Sequence, residues 1–288
     1  MHLVDVVVPT RNRLEMTLEC VGSVRAQTDD RWHLYLVDDA SDEGSYEQIC
    51  RELGSDERIT VLRHEVAGRA AKARQTGFEA GRAPWVATLD SDDLWLPEKL
   101  SKQLALADRG HDVIIGCHSW VRADGSVRTT VRPSGTGRVS PLLTNNVDVA
   151  LMRRDLVARV GGFWGPNVLD LRADENIEFF IRLLSEADLA VVPEVVALCR
   201  DHSGIRTSDA MEPTDLAKII ATHRQLVESS PDYGAMLCRI GARYLAARNR
   251  RVGWSYTWRG LRAAPSPSRY ELVRTYLPSA VKNSLVRT

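Results

Sequence analysis

Asp90, Asp92 and Asp93 close the apolar run VATL in the stretch VATLDSDDLW, and Asp38, Asp39 and Asp42 close a second apolar run in LYLVDDASD. Anions this close repel one another and resist desolvation, so each cluster is either a solvated turn or a place where cations or hydrogen-bond donors gather. The Asp-x-Asp spacing of Asp90 and Asp92, with Ser91 between and Asp93 adjoining, suits a hard divalent ion. Mn²⁺ or Mg²⁺ takes oxygen ligands and keeps positions open for phosphate oxygens. The carboxylates near Asp39 could accept the hydroxyl and N–H donors that a sugar or nucleotide offers. Arg69, Lys72 and Arg74 in GRAAKARQTG could balance a phosphate, or form a solvated helix face. Asp174 and Glu175 stand at a helix start. There they either complement the helix dipole or act as a general base on a hydroxyl within hydrogen-bond reach.

These residues share a position relative to the elements that must carry them. Leu3 to Val8 reads as a buried strand closed by Pro9, residues 14–26 repeat apolar positions at helical spacing, and Leu34 to Val37 is a second strand. A helix near 44–54, a strand over Ile59–Leu62, a helix near 69–81 and a strand over Trp85–Leu89 follow. That alternation predicts an α/β fold with a mostly parallel, Rossmann-like sheet and helices on both faces. Ligands of such sheets bind beyond the carboxyl ends of the strands. PTRNR, VDDASD and LDSDD all fall there, so three polar loops are expected to converge on one edge. Further on, the pattern predicts a helix around 98–108, a strand over Asp112–Trp120, a hairpin or loop over 122–140 and a strand running into a helix in NNVDVALMRR. A helix over Asp174–Leu184 and strands over Leu189–Val192 and Val195–Leu198 come next. Beyond about residue 210 the pattern is helical only.

Charge and cysteine usage narrow the class. Net charge is zero over 288 residues, yet Arg239 to Thr288 holds eleven Lys or Arg against one acid, Glu271. A cationic tail of this kind suits an anionic surface such as membrane phospholipid, or is a basic solvated helical face that balances an acidic body. Trp254, Tyr256 and Trp258 beside Arg250, Arg251 and Arg259 fit either an interfacial segment or aromatic packing within a helical subdomain. Five scattered cysteines without a CxxC pair favour a reducing cytosol over a disulfide framework or zinc knuckle. The N-terminus lacks the pattern of a signal peptide, and no stretch reaches 18 apolar residues. A cytoplasmic location is therefore expected, peripheral at the inner membrane face if the tail binds lipid.

The order VVVPTRNR, LVDDASDEGS, AGRAAKARQTG, VATLDSDDLWLPEKL, GGFW, DENIEFFIRL and CRDHSG resembles the family 2 glycosyltransferases of the GT-A fold, over residues 3–208. The resemblance implies a GT-A domain over 1–208 followed by a basic helical subdomain over 209–288. It implies transfer of a sugar from a nucleoside-diphosphate sugar, a UDP-sugar foremost, to a hydroxyl of a sugar, lipid-linked sugar or natural product, with Mn²⁺ or Mg²⁺. Pro9, Thr10 and Arg11 would line the nucleotide pocket, Asp39 would contact the base or ribose, and Arg74 would lie beside the nucleotide. Asp90 with Ser91 would contact the ribose and metal region. Asp92 would ligate the metal with Asp93 nearby, and His202 would lie near the diphosphate and metal.

Two positions depart from the family pattern. Gln75 replaces an Asn beside Arg74, and Asn176 replaces the Asp that serves as base in inverting members. An amide takes no proton at neutral pH. Either Glu175 or Asp174 is then the base, or transfer retains configuration, or activity is weak; an inverting reaction with Glu175 as base is the preferred expectation. The rivals are a nucleotide-sugar- or glycan-binding relative with little catalysis, and a metal-dependent phosphatase of the Asp-x-Asp type. The latter's motif opens its fold, whereas three strand–helix units precede Asp90 here. No nucleic-acid partner is expected, and the tail could instead mediate a homodimer.

Overall fold

The structure is a computed structural model that describes residues 2–133, 146–164, 171, 174–201, 213–228, 230 and 233–264. The chain divides into two compact units, Met1–Val168 with Arg182–Gly204, and Leu169–Ile181 with Ile205–Thr288.

The first unit is built on β1 (Val4–Thr10), α1 (Leu14–Arg25), β2 (Trp32–Asp38), α2 (Glu43–Leu53), β3 (Ile59–Arg63), α3 (Arg69–Ala80) and β4 (Trp85–Thr88). Strands β3, β2, β1 and β4 lie side by side and all parallel. Most of their residues are apolar because both faces are covered. Val4, Val6 and Val8 face one layer with Val21 and Val24 of α1 and Ile49 of α2. On the other face α3 presses close: a methyl group on Gly77 would come 2.4 Å from Val7. Glycine is what lets that helix lie against β1 and β2.

Beyond β4 come β5 (Leu94–Trp95), α4 (Lys99–Ala107), β6 (Val113–Val121), β7 (Val127–Val131), β8 (Ala150–Arg153), α5 (Arg154–Arg159) and β9 (Leu189–Arg200). The full order is β3-β2-β1-β4-β8-β6-β9-β5, with β7 paired to β6. The α/β class and the covering of both faces hold, and the pairing is more mixed than the strand–helix rhythm implies. Strand β8 runs antiparallel to both β4 and β6. It is reached through the β6–β7 hairpin, and an antiparallel return needs no helical crossover. The two strands expected around residue 190 are one, Leu189–Arg200, whose pairing with β6 shifts register at Gly116 and Cys117. Pro193, which has no N–H to give the ladder, lies at that irregularity.

The second unit carries helical residues of α6 (Glu175–Leu184) and then α7 (Pro213–Thr222), α8 (Arg224–Val227), α9 (Tyr233–Ala246) and α10 (Arg250–Ala263). Helices α9 and α10 pack antiparallel and very closely. Added methyls on Gly234 and Gly260 would strike the opposing backbone, as would one on Gly241. Tyr256 of α10 stacks on Tyr244 of α9 at 5.8 Å, whereas Trp258 is 53% exposed. The aromatics of the tail thus divide between packing and surface.

Candidate donor and metal site

The ends of β1 and β2 are tied together first. The Asp39 amide donates to the Thr10 carbonyl at 2.8 Å. The Thr10 and Thr17 hydroxyls lie 2.6 Å apart, and Pro9 and Thr10 are buried where β1 ends, while Arg11 is exposed. The chain then turns through Asn12 (φ 52°) and, after β2, through Ala40 (φ 59°). Left-handed residues other than glycine are uncommon and persist where surrounding contacts hold them. Here the Asn12 amide donates to Ser41 Oγ at 2.9 Å and the Asp42 amide to Asn12 Oδ1 at 2.8 Å. Asp39 accepts from the amides of Gly68 (2.7 Å) and Arg69 (2.8 Å) at the start of α3, and from His64 Nδ1 (2.8 Å).

The third loop, after β4, joins this assembly through two arginines. Arg74 of α3, almost fully buried, pairs with the Asp90 carboxylate. Arg13 pairs with Asp92 at 2.5 Å. The Asp90 and Asp92 side chains are 33% and 20% exposed, whereas Ser91 and Asp93 are buried. The β1 loop, the β2 loop, the start of α3, Asp90, Asp92 and Arg13 therefore form a closed ring of contacts at one sheet edge.

Behind the ring lies a group that sequence reasoning missed. Asp93 Oδ1 accepts the Arg200 amide at 2.9 Å, and its carboxyl is hydrogen-bonded to that of Asp148. Asp148 Oδ1 accepts the Asp90 amide at 2.7 Å, and the Asp148 carbonyl accepts Trp95 Nε1 at 2.8 Å. Burial and the neighbouring Asp92 charge push the Asp93 carboxyl up to about 7. Burial, with Asp90 and Asp93, pushes Asp148 well above the carboxylate range. Two facing carboxyls so placed share a proton. Arg200 also spans the site, since its side chain bonds the Asp92 carbonyl and Glu19. The one signal for Asp148 was an acid within the apolar run NNVDVALM. Arg13 and Arg200 lie inside motifs already singled out, and their partners are distant in sequence.

Among the described residues, Asp93, Asp148 and Cys199 bring one potential metal-ligand atom each to within 4.8 Å of one another. All three are buried, and Asn146 Nδ2 lies 3.0 Å from Cys199 Sγ. The donors of this set are already joined by hydrogen bonds, and a thiol is a poor partner for Mg²⁺ or Mn²⁺. Asp90 and Asp92 offer hard carboxylate oxygens, are the more exposed, and fit such an ion better.

The expected bases lie in the second unit. Asp174 (φ 65°) precedes α6, and both its oxygens bond the Arg243 guanidinium, one at 2.9 Å. Glu175 is the first residue of α6, followed by Asn176. One turn on, Glu178 accepts from His223 Nε2 at 2.9 Å. His202 lies outside the described residues.

The mixed α/β sheet gathers carboxylates at the carboxyl ends of its parallel strands β1, β2 and β4. The match to known proteins agrees: residues 5–163 fit the family described as "Glycosyl transferase family 2", and the chain belongs to that family. It is similar to an uncharacterized glycosyltransferase of Haemophilus influenzae, at 24% identity over 76% of this chain and 74% of that protein. It is similar also to the Escherichia coli UDP-Glc:alpha-D-GlcNAc-diphosphoundecaprenol beta-1,3-glucosyltransferase WfgD, at 33% identity over 36% of this chain and 41% of that enzyme. The fold matches Staphylococcus aureus TarS 1–349 in complex with UDP-GlcNAc, with a TM-score of 0.69 and 17% identity over 91% of this chain and 82% of TarS. The GT-A fold and a transferase function follow.

Proposed function

We propose that the chain transfers a sugar from a UDP-sugar to a hydroxyl acceptor, with inversion and with help from Mn²⁺ or Mg²⁺. The observation that carries the reading is the closed ring at the sheet edge: Asp39, Arg74, Asp90, Asp92 and Arg13 hold one another across four elements. Pro9, Thr10, Arg11 and Asp39 take the nucleoside, Arg74, Asp90 and Ser91 the ribose and phosphate side, and Asp92 is the direct metal ligand. An ion held there would supply charge neutralisation for the departing nucleoside diphosphate. Arg13 and Arg74 keep the carboxylates oriented, which favours preorganised charge stabilisation, worth about 3 kcal/mol per good contact. Asp93 supports the loop from behind with Asp148. Glu175 takes the acceptor proton, since both oxygens of Asp174 are committed to Arg243. His202 acts beside the diphosphate.

The WfgD name gives a UDP-glucose donor and a diphosphoundecaprenol-linked sugar acceptor for that enzyme. This, with the tail's charge, supports a lipid-linked acceptor met at an anionic membrane face. From Arg239 to Ala264 there are seven arginines and no acid. Trp258 stands exposed among Arg251, Arg259 and Arg262 on α10. No described helix is long and apolar enough to cross a membrane, so the contact would be peripheral. The domain division at residues 208/209 is kept as part of this reading, with the tail as the membrane-facing or dimerising element in the cytoplasm.

Asn176 favours one second reading, a relative that binds nucleotide-sugars and transfers little. Transfer assayed with UDP-, GDP- and dTDP-sugars, Mn²⁺ or Mg²⁺, and lipid-linked and free sugar acceptors separates the two. Transfer from a UDP-sugar with inverted product supports the main reading. Donor binding with no turnover on any acceptor supports the second.

A further inference from the structure

The Asp39 carboxylate is held by three donors, and they leave it little freedom. Oδ1 accepts from His64 Nδ1 at 2.8 Å and from the Gly68 amide at 2.7 Å, and Oδ2 accepts from the Arg69 amide at 2.8 Å. A carboxylate oxygen has two in-plane acceptor positions, so Oδ1 is filled and Oδ2 keeps one. A carboxylate only accepts, so Nδ1 of His64 carries the proton. In the neutral imidazole Nε2 then accepts from the Thr76 hydroxyl, which is 2.8 Å away, closer than the Lys72 carbonyl at 3.2 Å. The ring is thus fixed at both ends. Its own backbone is anchored too, since the His64 amide donates to the Asp38 carbonyl at 2.8 Å. Arg69 holds a left-handed backbone (φ 72°) that directs its amide at Asp39.

We propose that His64 is a positioning residue for Asp39, and that it fixes the one open acceptor position so that the donor pocket selects a nucleobase with an imide N–H. The proposal rests on the reading of Asp39 as a donor-nucleotide contact. Uracil and thymine present such an N–H, whereas cytosine presents a ring-nitrogen acceptor at that place. An acceptor set against a carboxylate with no proton to offer is repelled, which excludes CDP.

Two substitutions separate the two ends of the imidazole. His64→Asn keeps a donor at the Nδ1 position and gives up Thr76. His64→Gln keeps a polar group at the Nε2 position and gives up Asp39. UDP and CDP are titrated calorimetrically into the full chain with Mn²⁺. His64→Asn is expected to bind UDP within about threefold of the parent. His64→Gln is expected to bind about tenfold more weakly, the size of one charge-assisted hydrogen bond, and to lose a similar factor in its preference for UDP over CDP. Both variants should melt at similar temperatures. Equal UDP affinities, or an unchanged UDP/CDP ratio in His64→Gln, would overturn the role of His64. Asp39→Ala separates this from the underlying reading: undiminished UDP binding there removes Asp39 from the donor pocket altogether.

Discussion

Replacing Asp148 by asparagine tests the buried carboxyl pair behind Asp90 and Asp92. In the parent, Asp93 titrates at about 7 because it is buried and faces Asp92, whereas an unfolded aspartate titrates near ~3.9. Between those values the unfolded chain releases a proton that the folded chain keeps. The Asp93 contribution to stability is therefore fully present below about pH 4, falls as pH rises, and is lost above about pH 7, and the raised Asp148 adds a fall of the same sign. Roughly three pH units at about 1.4 kcal/mol each set a loss of up to ~4 kcal/mol. In Asp148→Asn the amide oxygen still accepts the Asp90 N–H, and the amide N–H donates to an ionised Asp93. Burial and Asp92 still raise Asp93 in this variant, so what it lacks is the proton that Asp148 itself carries. The assay is urea unfolding from pH 4.5 to 8.5, read as the difference between parent and variant so that other groups cancel. Asp148→Asn should be near the parent at pH 5, at least as stable at pH 8, and show a shallower slope, because only Asp93 still contributes to it. Asp148→Ala should lose about 3 kcal/mol at pH 5, because the Asp90 amide is orphaned and a cavity remains. A full parent-like slope in Asp148→Asn would refute the shared proton.

The remaining expectations concern the second unit. Glu175→Gln should spare UDP-sugar binding and thermal stability but abolish transfer, checked by calorimetry beside a transfer assay. Asp174→Asn should instead destabilise by about 3 kcal/mol, since it strips a buried arginine of its carboxylate; unchanged melting would contradict that ion pair. In co-sedimentation with anionic phospholipid vesicles, the parent should bind and Trp258→Ala combined with Arg251→Glu and Arg259→Glu should not. Binding should weaken as salt rises. Equal recovery of both with the vesicles would remove α10 from membrane contact.

Much of the donor edge was legible because it depends on local signals. Short apolar runs end at Thr10, Asp38 and Thr88, and polar loops after parallel strands must share an edge. The spacing of Asp90 and Asp92 could be read by eye. Asp148 could not, because its meaning comes from β8 lying antiparallel between β4 and β6, a pairing that no local pattern announces. The partners of Arg13 and Arg200 were hidden for the same reason: each reaches a carboxylate or carbonyl loop far along the chain. His64 in RHEVAG gives no signal of its own, since a lone histidine carries no period, and only the end of β3 brings it beside Asp39. The tail gave its charge and helicity away, but not which aromatics pack and which are exposed; the close glycine contacts of α9 and α10 decide that.

The central claim is that carboxylates at one sheet edge hold a divalent ion against the diphosphate of a UDP-sugar. The most direct test is the UDP affinity of the parent and of Asp92→Ala, each measured with Mn²⁺ and with EDTA. The parent should lose at least tenfold in affinity without the ion, and Asp92→Ala should bind weakly in both conditions. Equal affinities in all four titrations would contradict the account.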